Sequence, residues 1–163
     1  MAIARAIVLK PKFIVADEPV SMLDMSIRAE ILNLMLNIRE KYNLAYLFIT
    51  HDLAVAKHIC DRIAIMYLGK IVETGKAEQV IDNPLHPYTK ALISAIPVPD
   101  PRSKIGDIPI KGEVPSPVNV PSGCRFHPRC PYAFGRCREV EPKLVEAEPG
   151  HLVACHLLGG ETA

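Results

Sequence analysis

The sequence predicts an α/β fold with parallel strands, a β-hairpin and helices, followed by a small irregular cysteine-rich C-terminal region. Three observations predict it: two short apolar runs separated by a stretch of helical periodicity, a pair of strand-like segments around Leu68-Gly69, and a proline run beyond which regular periodicity ends.

The start, "MAIARAIVLKPKF", has basic residues at Arg5, Lys10 and Lys12 that interrupt and follow its apolar residues, so it reads as helix and not as a secretory leader. "KFIVA" is a continuous apolar run, as expected of a strand buried on both faces. Ile27, Ile31, Leu34, Met35 and Ile38 then repeat at helical spacing, and "LAYLFIT" (44–50) supplies a second buried strand. Strand, helix, strand is a βαβ unit of a parallel sheet. "DLAVAKHIC" reads as a short helix and "RIAIMYLGKIVETG" as a hairpin. Helices fit "AEQVID" and "PYTKALISAI", the latter with Pro87 at a first helical position.

Composition sets limits on function. With 19 basic and 18 acidic side chains the net charge is +1, so no overall field draws in nucleic acid or an anionic membrane. No stretch approaches the roughly 18 uninterrupted apolar residues of a membrane helix, so no direct membrane insertion is expected. The 49% of apolar residues suffices for a packed core. Seven prolines (Pro97, Pro99, Pro101, Pro109, Pro115, Pro117 and Pro121) remove donors and fix φ, as suits an extended arm. They divide the chain into a regular part, 1–96, a proline-rich linker, 97–121, and a cysteine-rich region, 122–163, too poor in apolar residues to fold on its own core.

"FIVADEPVSMLD" ends an apolar run on two adjacent carboxylates, Asp17 and Glu18. Open α/β sheets place their ligands at the carboxyl ends of strands. There Asp17 suits orienting Mg²⁺, and Glu18 suits polarising a water that attacks a γ-phosphate; the competing reading is a strand end whose acids cap a turn. The second strand ends in Thr50-His51-Asp52, and His51 suits a hydrogen bond to a phosphate oxygen.

These residues resemble the ATP-binding subunits of ABC transporters. "FIVADEP" is similar to their Walker B strand, "SMLD" to their D-loop and "THD" to their switch-histidine loop. The resemblance implies a partial P-loop NTPase (ABC ATPase) fold, with ATP and Mg²⁺ as cofactors. It implies Asp17 for magnesium, Glu18 as general base, His51 for the γ-phosphate, and Ser21 and Asp24 for communication across an ATP-sandwich dimer. "NPLHPYTKAL" and the cysteine-rich tail resemble the oligopeptide and dipeptide importer branch. The implied partners are a second ATPase subunit, identical or not, and transmembrane permease subunits, at the cytoplasmic face of the membrane. There is no G-x-x-x-x-G-K-S/T phosphate loop and no LSGGQ-type stretch, so the chain is expected to correspond to the carboxyl-terminal half of such a subunit and to hydrolyse little ATP alone. The side of the sheet beside the His51 strand is then expected to be an open edge. The alternative function is a non-catalytic interaction or metal-binding module.

Cys124, Cys130, Cys137 and Cys155 match the ligand count of Zn²⁺ or a [4Fe–4S] cluster, although none forms a C-x-x-C knuckle; free thiols and oxidised pairs are the alternatives. Arg125, Arg129, Arg136 and Arg138 lie among them and are expected to lower the thiol pKa values. The resemblance favours iron–sulfur. His127, His151 and His156 are expected to be solvated, and Cys60 to be a small core residue.

Overall fold

The computed structural model describes residues 2–96 and 110–158. They fall into two compact units, Met1–Cys60 and Asp61–Ala163.

In the first unit, α1 (Ala2–Ile7) leads to β1 (Phe13–Asp17), α2 (Met25–Tyr42), β2 (Ala45–Ile49) and α3 (Leu53–Ile59). β1 and β2 pair in parallel from Phe13 opposite Ala45 to Asp17 opposite Ile49, so the expected βαβ unit forms. α2 stops at Asn43, which takes the left-handed conformation (φ 51°) and returns its N–H to the Arg39 and Glu40 carbonyls. Asn accepts this conformation more readily than most side chains, and Arg39 and Lys41 oppose the helix dipole in the last turn.

Two expectations about burial need correcting. The strands are not buried on both faces: Phe13, Val15, Leu47 and Ile49 share one face and are 44–55% exposed. Ala16 on the opposite face is buried. In-register parallel pairing puts alternate residues of both strands on the same side, and among the described residues only one side is well covered. Neither strand pairs with a third among those residues, so the sheet edge is open. On α2 the fully covered side chains are Leu32, Met35 and Ile38, whereas Ile27 and Leu34 are half exposed. Ile31 and Leu34 line an open apolar groove with Ile3 and Ile7 of α1, and the buried Ile38 borders the same groove.

The second unit begins with the hairpin of β3 (Arg62–Tyr67) and β4 (Lys70–Lys76). Its two-residue turn has positive φ at both Leu68 (45°) and Gly69 (79°), the mirror-image turn that matches strand twist. α4 (Ala77–Asp82) and α5 (Pro87–Ser94) follow, with Pro87 in the first turn as expected. The C-terminal region contributes α6 (Gly135–Glu139), β5 (Val145–Glu148) and β6 (His151–Val153). The sheet order is β3-β4-β6-β5, all antiparallel.

The cysteine-rich region therefore does not stand apart. β6 takes up the free edge of β4, and Phe126, 1% exposed, packs its ring against Tyr67, Tyr88 and His86 at 5.3–5.7 Å. The structural units divide at 60/61. Hydrogen bonds across sequence decide this: Thr74 and Glu73 pair with Leu152 and Val153. Residues 97–109 of the expected linker lie outside the described residues; 110–121 form neither helix nor strand. No helix among the described residues is long and apolar enough to cross a membrane.

Candidate active site

Parallel pairing brings the ends of β1 and β2 to one sheet edge. The ladder runs one residue past β1, where the Glu18 N–H donates to the Ile49 carbonyl at 2.9 Å. Glu18 then turns into the left-handed region (φ 44°), a conformation that costs a non-glycine residue energy and that gathers at functional sites. Across the edge, His51 Nδ1–H donates to Glu18 Oε1 at 2.7 Å. Both side chains remain open to solvent, at 76% and 40% exposure.

Each partner favours the other's charged form. The His51 hydrogen bond holds the Glu18 carboxyl below its ordinary pKa, and the Glu18 hydrogen bond raises that of His51. The carboxylate is thus held ionised near neutral pH, though as a weaker base than a free one, beside an imidazole with increased cationic character. An exposed pair of this kind contributes little to stability.

Ser21 joins the site through its hydroxyl and N–H, which donate to the Glu18 carbonyl at 3.1 and 3.3 Å. Asp24 occupies the N-cap position of α2, yet its side chain makes no cap hydrogen bond. Asp17 is exposed at the end of β1. The carboxylates of Asp17 and Asp24 make no hydrogen bond among the described residues. Glu18, His51 and Ser21 come together; the Asp24 side chain does not join them.

Sequence reasoning missed Arg28. Its Nη1 donates to Asp52 Oδ2 at 3.3 Å and its Nη2 to the Leu23 carbonyl at 3.4 Å. Asp52 is itself the N-cap of α3, its Oδ1 accepting the Ala54 and Val55 N–H groups at 3.0 and 3.1 Å. An acid immediately before the helical run "LAVAKHI" was the available signal for that cap. Nothing local marks Arg28.

The second cluster is the thiols. Cys124, Cys130, Cys137 and Cys155 are all unoxidised, and Cys137 is buried. They lie near enough that charge on Cys124, Cys130 or Cys137 would oppose ionisation of Cys155. The expectation that the arginines lower the thiol pKa values is overturned. Burial pushes Cys124 and Cys130 up and Cys155 up to about 11. Arg125 is directed elsewhere, to the Leu68 carbonyl at the hairpin turn. Among the described residues no group of three or more His, Cys, Asp or Glu is placed to hold a metal ion.

The histidines are not simply solvated. His151 is fully buried, its Nε2–H donating to Glu73 Oε1 at 2.7 Å; His127 and His156 donate to the Cys124 and Val140 carbonyls. Cys60 is half-buried at the C-cap of α3, not a core residue.

Residues 72–137 match the family model of the oligopeptide/dipeptide transporter C-terminal region. A Sinorhizobium fredii protein described as a probable peptide ABC transporter ATP-binding protein is 54% identical over 157 residues, 96% of this chain and 44% of its own. The Bacillus subtilis oligopeptide transport ATP-binding protein AppF is 54% identical over 159 residues, 96% of this chain and 48% of its own. The chain thus spans just under half the length of these relatives.

Proposed function

We propose, from homology along nearly the whole chain with ATP-binding proteins of peptide ABC transporters, that these residues form the hydrolytic end of an ATP-binding subunit energising oligopeptide or dipeptide import. The observation that carries the reading is the 2.7 Å contact between Glu18 and His51 at the carboxyl edge of a parallel strand pair.

In this reading Glu18 takes a proton from water as its oxygen bonds to the γ-phosphorus, and the bridging oxygen leaves with ADP. His51 donates to a γ-phosphate oxygen. Mg²⁺ supplies charge neutralisation at the phosphates, and the unpartnered, exposed carboxylate of Asp17 suits holding its water shell. Ser21 and Asp24 face a second ATP-binding subunit, and transmembrane permease subunits anchor the assembly peripherally at the cytoplasmic face. Alone the chain turns over little ATP, because its sequence contains no phosphate loop to grip the β and γ phosphates.

The test supplies that loop in trans or restores it in cis. Glu18→Gln then abolishes hydrolysis while ATP binding persists, since the amide keeps the shape but cannot act as base; undiminished turnover removes Glu18 from this role. His51→Ala also loses turnover, and a near-normal rate refutes the switch assignment.

A second reading concerns the tail. Four neighbouring thiols match the ligand count of a [4Fe–4S] cluster or Zn²⁺, but their present arrangement does not fit a metal shell, so binding requires them to converge. Anaerobically purified protein that is brown, with broad visible absorbance, supports iron–sulfur. A colourless preparation with stoichiometric zinc replaces it, and absence of both metals leaves the thiols free.

A further inference from the structure

Contacts at the candidate site close into a ring. Glu18 meets His51 through side chains, and the Ser21 hydroxyl reaches the Glu18 carbonyl. Two residues on, the Leu23 carbonyl accepts from Arg28, and Arg28 donates to Asp52, which follows His51 in the chain. One guanidinium thus bridges the turn after β1 and the loop after β2. Its placement is constrained from both ends. The Arg28 N–H donates to the Asp24 carbonyl at 2.8 Å, and the Asp52 N–H donates to Thr50 Oγ1 at 3.0 Å.

Resting on the ATP-hydrolysis reading, we infer that Arg28 is a positioning residue that couples the Ser21–Asp24 turn to the His51 loop, so that pressure on the turn from a second subunit resets His51 against Glu18. Stability alone gives little reason for the arrangement. The Arg28 and Asp52 side chains are 29% and 33% exposed, where ion pairs contribute weakly, and Arg28 Nε is buried without a partner. A planar fork with separate donors can hold a carbonyl and a carboxylate at once, which a lysine ammonium on a flexible stem does poorly. Both bonds are long, 3.3 and 3.4 Å, so the fork can tighten on either acceptor as the turn moves. Such an element becomes a coupling device only if the two sides are shown to sense each other.

A mutant cycle on the full chain reads this directly. The Asp24 N–H shares a peptide unit with the Leu23 carbonyl, so its NMR resonance reports the bond from Arg28. Asp52→Asn shifts the Asp24 resonance in the parent chain, and that shift vanishes in the Arg28→Gln and Arg28→Lys backgrounds. An Asp24 shift equal in all backgrounds, or absent in the parent, overturns the coupling; Arg28→Lys keeps the charge and serves if Arg28→Gln fails to fold. With the phosphate loop supplied, Arg28→Gln lowers kcat about tenfold with KM for ATP unchanged, as coupled groups of this kind do. If Glu18→Gln is inactive while Arg28→Gln turns over normally, the inference about Arg28 fails and the hydrolytic reading stands. If Glu18→Gln retains turnover, the hydrolytic reading fails, and the NMR cycle still decides the coupling.

Discussion

Glu73 and His151, 78 positions apart, meet at 2.7 Å with both side chains wholly withdrawn from solvent. The Glu73 carboxylate also accepts the Leu85 and His86 N–H groups at 2.8 and 2.9 Å. One buried acid therefore ties β4 to β6 and to the turn entering α5. Low dielectric strengthens these bonds and makes their disruption costly, while His151 Nδ1, 3.7 Å from Glu148 Oε2, makes no hydrogen bond among the described residues.

Glu73→Gln places an amide N–H against donors that now find a carboxylate. We expect a loss of about 2 kcal/mol, the usual consequence of leaving buried donors without an acceptor. Urea unfolding monitored by circular dichroism measures it; a loss below about 1 kcal/mol contradicts the role assigned to the network.

Burial pushes the His86 imidazole down to about 4 from its ordinary 6.5, and its Nδ1 accepts the Tyr88 N–H at 3.0 Å. The folded chain keeps it neutral where the unfolded chain binds a proton. The associated stability is complete above about pH 6.5 and declines as pH falls towards about 4, by up to about 3 kcal/mol. Asn at this position can still cap α5 but does not titrate. Unfolding free energies of His86→Asn, measured alongside the parent over this range, show a shallower pH slope; identical slopes refute the assignment.

Phe126→Ala removes the ring on which Tyr67, Tyr88 and His86 converge. A cost of about 3–5 kcal/mol is expected for truncating so buried an aromatic. The same change should expose the cysteines to thiol reagents at lower denaturant concentration, measured by mass spectrometry after alkylation.

At pH 8 the Cys155 thiol, pushed up to about 11, is almost entirely protonated. Because the thiolate is the nucleophile, alkylation of native protein should spare Cys155 and become rapid on unfolding. Fast native labelling of Cys155 would show that its surroundings are more polar than this packing implies.

The candidate site was legible where chemistry is local. Two acids at the end of an apolar run, and a histidine at the end of the next, announce a strand-edge site because parallel strands must deliver their ends to one side. Asp52 was legible only as an acid before a helical run, and Arg28 was not legible: an arginine in the first turn of a helix is normally a solvated residue, and only the chain's return through β2 supplies its carboxylate.

By itself the order of residues determined βαβ, the Leu68-Gly69 turn, and Pro87 at the start of α5. Each rests on side-chain periodicity or φ preferences that act within a few neighbours. Tertiary structure alone decided that β6 completes the β3-β4 sheet, that Leu32 and not Ile27 is covered, and that Glu73, His86, Phe126 and His151 make one core. Those outcomes depend on which distant surfaces exclude water from each other, and no spacing along the chain encodes a pairing across 78 positions.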